Sequence, residues 1–270
     1  MLKSRYKKAS SKIAKRRQVR KTFGLILKVG LPMLVLVGLV FLSRADFLQV
    51  KNFEVVGTET ISAESLKHTA QSLTLGNRLL FVPKSNIILL NKNNLANILL
   101  SNFGRLEKVE VDKKFLSQKV ELKLTERKAE FLWCSTTNEC FDMTKDGLVF
   151  ERTGNIENKL IFTGIVAGNP IMKNFATLAE MQNYENFISV FKNSGFEIIS
   201  INIESSDKAV VKININNFMS DIIFNPEEKD LSSVAQNNIL LINQVLSKTP
   251  SSHFQYIDSR FGNKMFYKLY

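Results

Sequence analysis

The sequence predicts an α+β protein carried on an N-terminal transmembrane helix: a β-α-α-β-β unit comes first, then a mostly antiparallel β domain with two flanking helices. Three observations predict it. Residues 24–43 form an apolar run that holds a single charge, Lys28. The net charge of +12 is one-sided, because residues 1–28 carry eleven Lys/Arg and no acid, which leaves the remainder at +1. Beyond the run, apolar residues recur with period two in some segments and with the helical period in others.

The N-terminal elements follow from charge and length. At 1.5 Å per residue, residues 24–43 extend about 30 Å, the thickness of a hydrocarbon core. Lys28 lies near one end, where its stem can reach the headgroups, and Pro32 is close to the same end. The basic tail, residues 1–23, sets the orientation: tail in the cytoplasm, residues after the run outside it. A pI near 9.6 raises nucleic-acid binding. The basic block abuts an apolar run, however, so attraction to an anionic membrane surface is expected and no nucleic acid. The competing reading is a cleaved signal peptide, with 29–42 as its apolar region and Ser43-Arg44-Ala45 at the cleavage site. The long basic stretch before the run favours the uncleaved anchor. Both readings export the bulk of the chain.

Residues 48–128 read as one unit. A strand over 50–56 ends at Gly57, and Ser62 caps a helix that runs to about Ser72. Leu75–Phe81 turns back towards the core, with Pro83 interrupting. A helix over Asn94–Asn102 puts Leu95, Ile98 and Leu99 on one face. Val109 and Val111 alternate with Glu110 and Asp112, and Val120, Leu122 and Leu124 with Glu121, Lys123 and Thr125, giving two half-buried strands.

Residues 129–270 read as a second unit. Short strands are predicted at 131–134, 139–142 and 147–150. A helix over Asn174–Asn193 places Leu178, Met181, Ile188 and Phe191 on a common face. Strands at 196–203, 210–215 and 219–224 form a meander. A helix over Leu231–Leu246 turns Leu231, Val234, Leu241, Ile242 and Val245 inward, with Asn238 among them. The chain closes on a hairpin, 256–261 and 264–268, turned by Gly262-Asn263.

Cys134 and Cys140 flank Ser-Thr-Thr-Asn-Glu, a predicted hairpin tip. Two readings stand: a cross-strand disulfide closing a short loop, worth about 2 kcal/mol, or two free thiols. Spacing alone does not choose between them.

Enzyme motifs are weak. Ser189-Val-Phe-Lys192 and Ser205-Ser-Asp-Lys208 spell S-x-x-K, but no S-D-N follows, and Lys248-Thr249 precedes Pro250 rather than Gly. His68 and His253 have no metal or nucleophile pattern around them. No catalytic, metal or cofactor residue is assigned, and an anchored cell-wall enzyme is the alternative function.

Binding is the positive expectation. A terminal hairpin leaves its last strand at a sheet edge, where unpaired N–H and C=O groups can take up a partner strand. Large side chains and cations concentrate there, and Tyr256, Asp258, Arg260, Phe261, Lys264 and Phe266 are the candidate partner-binding residues. Alternation would bury about every second one.

The order of parts resembles the FtsQ/DivIB family of bacterial cell-division proteins. Phe53-Glu-Val-Val-Gly57 resembles the opening strand of the family's POTRA domain. Leu122-Lys-Leu-Thr-Glu-Arg127 followed by Phe131-Leu-Trp133 resembles its end and the junction to the β domain. Phe141–Phe150 resembles a hairpin of that domain, and Tyr256-Ile-Asp-Ser-Arg-Phe-Gly-Asn-Lys264 resembles the C-terminal signature. Ser259 stands where the family usually has Leu, and Leu116-Ser117-Gln118 where a Pro is usual. POTRA domains also occur in secretion and assembly proteins, a second alternative, although those tend to carry several copies. The resemblance implies a POTRA domain over 48–128 and a β domain over 129–270. It also implies a non-enzymatic scaffold of the divisome, held in the cell membrane at the division septum. FtsB/DivIC-type and FtsL-type partners would bind outside the cytoplasm to support septal cell-wall synthesis.

Overall fold

The computed structural model describes residues 27–78, 81–137, 139–262 and 264–270. The predicted basic tail lies outside these residues, as do residues 24–26 of the apolar run, Leu79 and Leu80, Asn138 of the cysteine loop and Asn263 of the last turn. The described chain divides into two compact units. Unit 1 runs to Asn102 and takes in Lys108–Thr125, and unit 2 holds Phe103–Glu107 and Glu126–Tyr270.

The predicted transmembrane helix is corrected. Residues 27–43 are helical (α1), yet among the described residues no helix is long and apolar enough to cross a membrane. The described helix rises about 26 Å against the roughly 30 Å of a hydrocarbon core. It stops where the amides of Arg44 and Ala45 fold back onto Phe41 and Leu42, and the one-turn 3-10 helix Asp46–Leu48 follows.

Unit 1 is a three-stranded sheet with two helices. β1 (Asn52–Val56) pairs in parallel with β5 (Lys119–Glu126), which lies beside β4 (Leu106–Lys114), in the order β1-β5-β4. Between β1 and β4 the chain forms α2 (Ala63–Thr74), the small hairpin of β2 (Asn77–Arg78) and β3 (Val82–Pro83), and α3 (Lys92–Asn102). The Ser62 hydroxyl accepts from the Ser65 amide and starts α2. Leu66, Ala70, Leu95 and Leu99 of the helices and Phe53, Val120 and Leu122 of the sheet are all buried. Gly57 must be glycine. Its φ is +92°, and a Cβ there would sit 2.3 Å from the Leu124 carbonyl oxygen.

Unit 2 is built on one ten-stranded sheet. Its strands are β6 (Phe131–Cys134), β7 (Cys140–Met143), β8 (Leu148–Arg152), β9 (Leu160–Thr163), β10 (Lys173–Asn174), β11 (Glu197–Ser205), β12 (Lys208–Ile215), β13 (Phe218–Phe224), β14 (Phe254–Phe261) and β15 (Lys264–Leu269). The spatial order is β10-β8-β7-β6-β9-β11-β12-β13-β14-β15. The sheet is mixed: most of its neighbours run antiparallel, while β9 pairs in parallel with both β6 and β11, and β13 with β14. Parallel neighbours need a long return, which β7 and β8 supply between β6 and β9 and helices supply for the other two pairs. α4 (Leu178–Asn193) precedes β11, and α5 (Leu231–Lys248) joins β13 to β14.

The two helices cover one face. Ile201, Val211, Ile222 and Ile257 stand in one row across β11–β14 and are fully buried, in the same cluster as Phe187 and Phe191 of α4 and Ile242 of α5. α4 starts four residues later than its apolar pattern predicts. Thr177 and Glu180 form a reciprocal capping box, while Lys173 and Asn174 pair with β8 instead. Its inward face is Met181, Tyr184, Phe187 and Phe191, and Leu178 is exposed. Burial, with Glu180 nearby, pushes the Tyr184 hydroxyl up to about 12. α5 begins at Asp230, whose carboxylate accepts from the Ser232 and Ser233 amides.

Cys134 and Cys140 are directly opposed across β6 and β7 and joined in a disulfide. Beside them Asp142 is 2% exposed and ion-paired to Arg105 and Lys159, and Arg105 also pairs with Glu151.

Candidate functional site

The C-terminal hairpin has two register shifts, and the one nearer its turn shapes the candidate face. β14 pairs with β15 at Tyr256–Lys268, Ile257–Tyr267 and Asp258–Phe266, and the register then shifts before Phe261–Lys264. The extra residue on β14 is a bulge, which turns the following side chain to the other face. Simple alternation from Tyr256 and Asp258 puts Phe261 on the helix-covered face. The bulge brings it back beside Phe266, where the two rings meet edge to face at 5.3 Å. Tyr256, Asp258, Phe261, Lys264 and Phe266 therefore share the face that no helix covers.

Their environments differ. Phe261 and Phe266 are each 53% exposed, and Lys264 is exposed. Tyr256 is half-buried, in register with Asp221 on β13 and Lys268 on β15. Asp258 is buried and engaged from within its own strand. The Arg260 guanidinium donates to both its oxygens, at 3.0 and 2.7 Å, and the Arg260 amide donates to it at 3.2 Å. Burial works against the Asp258 carboxylate, but these bonds and the Arg260 charge hold its pKa below the ordinary carboxylate value. The bonds from Asp258 likewise raise Arg260. The Arg260 guanidinium also lies 5.5 Å from the Phe261 ring centre. Arg260 is thus a brace for the hairpin, and the exposed cations are Lys264 and Lys268.

β15 is the last strand of the sheet. The Tyr270 amide donates inward to the His253 carbonyl at 2.9 Å. By the alternation of an antiparallel ladder, the N–H and C=O groups of Phe266 and Lys268 point inward too, and those of Met265, Tyr267 and Leu269 point outward. The strand is anchored on its covered side by Leu269, which packs on the core, and by Tyr267, whose ring lies against Phe254. The hairpin thus offers an outward row of backbone groups with Phe266, Lys264 and Lys268 beside it.

Two residues that hold the hairpin went unread in the sequence. The Ser259 hydroxyl donates to the Ile223 carbonyl on β13 at 3.0 Å and accepts from the Asn238 side-chain amide of α5 at 3.2 Å. Asn238 is fully buried. The signal was present as two oddities, an Asn on the inward face of a helix and a Ser amid strand residues, which answer each other only in three dimensions.

The S-x-x-K serines are elsewhere. Ser189 donates to the Asn186 carbonyl within α4, and Ser205 to Asp207 in the β11–β12 turn, where Lys208 pairs with Glu204. His253 stacks on Phe218 with ring centres 3.4 Å apart. Among the described residues no group of His, Cys, Asp and Glu could hold a metal ion.

No family model matches the chain, and no curated protein matches it.

Proposed function

We propose that this protein is a non-enzymatic scaffold of the bacterial division machinery that receives a partner by strand addition along β15. The observation that carries the reading is the position of β15: it ends a ten-stranded sheet, with backbone groups of Met265, Tyr267 and Leu269 turned outward. Exposed sheet edges are normally blunted against aggregation, so an aromatic-rich terminal edge suggests a partner that covers it. Backbone pairing supplies the attraction, Phe261 and Phe266 the aromatic contact, and Lys264 and Lys268 the preference for an acidic segment. The resemblance to the FtsQ/DivIB family suggests FtsB/DivIC-type and FtsL-type partners and a place at the division septum. The Cys134–Cys140 disulfide suits a unit that works outside the cytoplasm.

The test is Met265→Pro. It removes an outward N–H and leaves the inward ladder intact, a position where an edge strand tolerates proline. Pull-down of an FtsB/DivIC-type partner should fail with a wild-type melt. Lys264→Glu with Lys268→Glu should weaken capture and lower its sensitivity to salt. Full capture by a folded Met265→Pro protein would move the interface away from β15.

A further inference from the structure

Three segments of unit 1 meet where α1 enters it. The Ser43 carbonyl accepts from the Asn86 side chain at 2.8 Å, and the Arg44 guanidinium donates to the Phe81 carbonyl at 2.9 Å. The Ile87 amide donates to the Leu48 carbonyl and the Val50 amide to the Ser85 carbonyl, both at 2.8 Å. The β4–β5 turn joins through the Lys51 amide, which donates to the Gln118 carbonyl at 2.8 Å, and through Lys113 Nζ, which donates to the Ile88 carbonyl at 3.0 Å. Residues 43–51, 81–89 and 113–118 are therefore one end of unit 1.

That end is apolar at its tips and basic around them. Phe47 is 62% exposed, Phe81 59%, Phe115 52%, and Leu116 fully exposed at 105%. They sit on two 3-10 turns and a loop, not along a strand edge or a helix stripe. Arg44 and Lys113 donate hydrogen bonds to neutral carbonyl oxygens rather than to carboxylates, and Lys84 lies in the same end, which also holds the Lys51–Asp46 ion pair. α1 leaves from here with Leu31, Leu34 and Phe41 all exposed, so the apolar surface continues past the end of the unit.

We propose that this end of unit 1 docks on an anionic lipid surface, with Phe47, Phe81, Phe115 and Leu116 entering the headgroup boundary and Arg44, Lys84 and Lys113 meeting its phosphates. Apolar tips fringed by cations are the chemistry of interfacial binding, where burial of the tips and attraction to anionic headgroups add. A protein partner would need a groove or an edge, and four separate tips on turns supply neither. The proposal concerns the unit's own surface and does not depend on β15.

The full chain, reconstituted into phosphatidylcholine vesicles with phosphatidylglycerol and acyl-brominated lipid, tests it. Leu116→Trp places a probe at the tip, where full exposure leaves room for the larger ring. Val56→Trp is its control at the other end of β1, since Asn52 pairs with Lys119 beside the tip and Val56 with Lys123. Trp133, buried in unit 2, gives a constant background. Quenching of Leu116→Trp should exceed that of Val56→Trp by about two-fold or more for a side chain in the headgroup boundary. Arg44→Gln, Lys84→Gln and Lys113→Gln together should abolish its dependence on phosphatidylglycerol. Equal quenching at the two positions overturns the proposal. So does quenching at Leu116→Trp that ignores both phosphatidylglycerol and the three Gln substitutions.

Discussion

Asp142 pairs with two cations from a position almost closed to water, and unit 2 should feel its loss strongly. Arg105 and Lys159 converge on its two oxygens. Removing one member of a buried charge cluster strands the others, at a cost of about 3 kcal/mol or more. Asp142→Asn should therefore lower the unfolding free energy, measured by denaturant titration, by about that amount, whereas Glu151→Gln, at a half-exposed partner of the same Arg105, should cost far less. Asp258 makes a pH-dependent contribution. Its folded pKa is depressed below the ordinary 3.8, so its stabilisation is present above that value and is lost as pH falls through the lower folded value. The Tm difference between wild type and Asp258→Asn should be constant above about pH 5 and shrink on acidification below the ordinary carboxylate range. A difference that grows on acidification would contradict the Arg260 brace.

At the scale of elements, helices and strands with strong local signals formed close to where their residues point. Ser62 starts α2, the alternation around Val109 and Val120 appears as β4 and β5, and the last hairpin turns at Gly262. Departures have local causes. The Thr177–Glu180 box overrode the apolar pattern upstream of it, and the β14 bulge reversed the side on which Phe261 falls. Part of the candidate site's geometry was legible in this way: Phe261, Lys264 and Phe266 are exposed. The ion pair between Asp258 and Arg260, two residues apart on one strand, was not read from the sequence, which offered both as candidate contact residues. Ser259 and Asn238 form a further element-level device, tying α5 to β13 and β14. Ser259→Ala should cost about 1 kcal/mol, because the Asn238 amide loses a partner in a dry site. Asn238→Leu in that background should recover part of the loss, since it removes the amide left without its Ser259 partner.

For the molecule as a whole, the sequence by itself determined the α+β character, the one-sided charge of the N-terminus and the existence of most helices and strands. Those properties rest on periodicity, caps and turn residues that act within a few positions of one another. The tertiary structure alone decided how the strands combine. β9, a run of only four residues at Leu160–Thr163, lies between β6 and β11 and merges two antiparallel meanders into one mixed sheet. Its partners are distant in sequence, and parallel pairing leaves no turn signal to read. The membrane-spanning reading of α1 likewise came from composition, which states affinity for a nonpolar setting but not what a helix is long enough to cross. The availability of β15 also belongs to the whole sheet: a strand becomes an edge only when every other strand has found its neighbour.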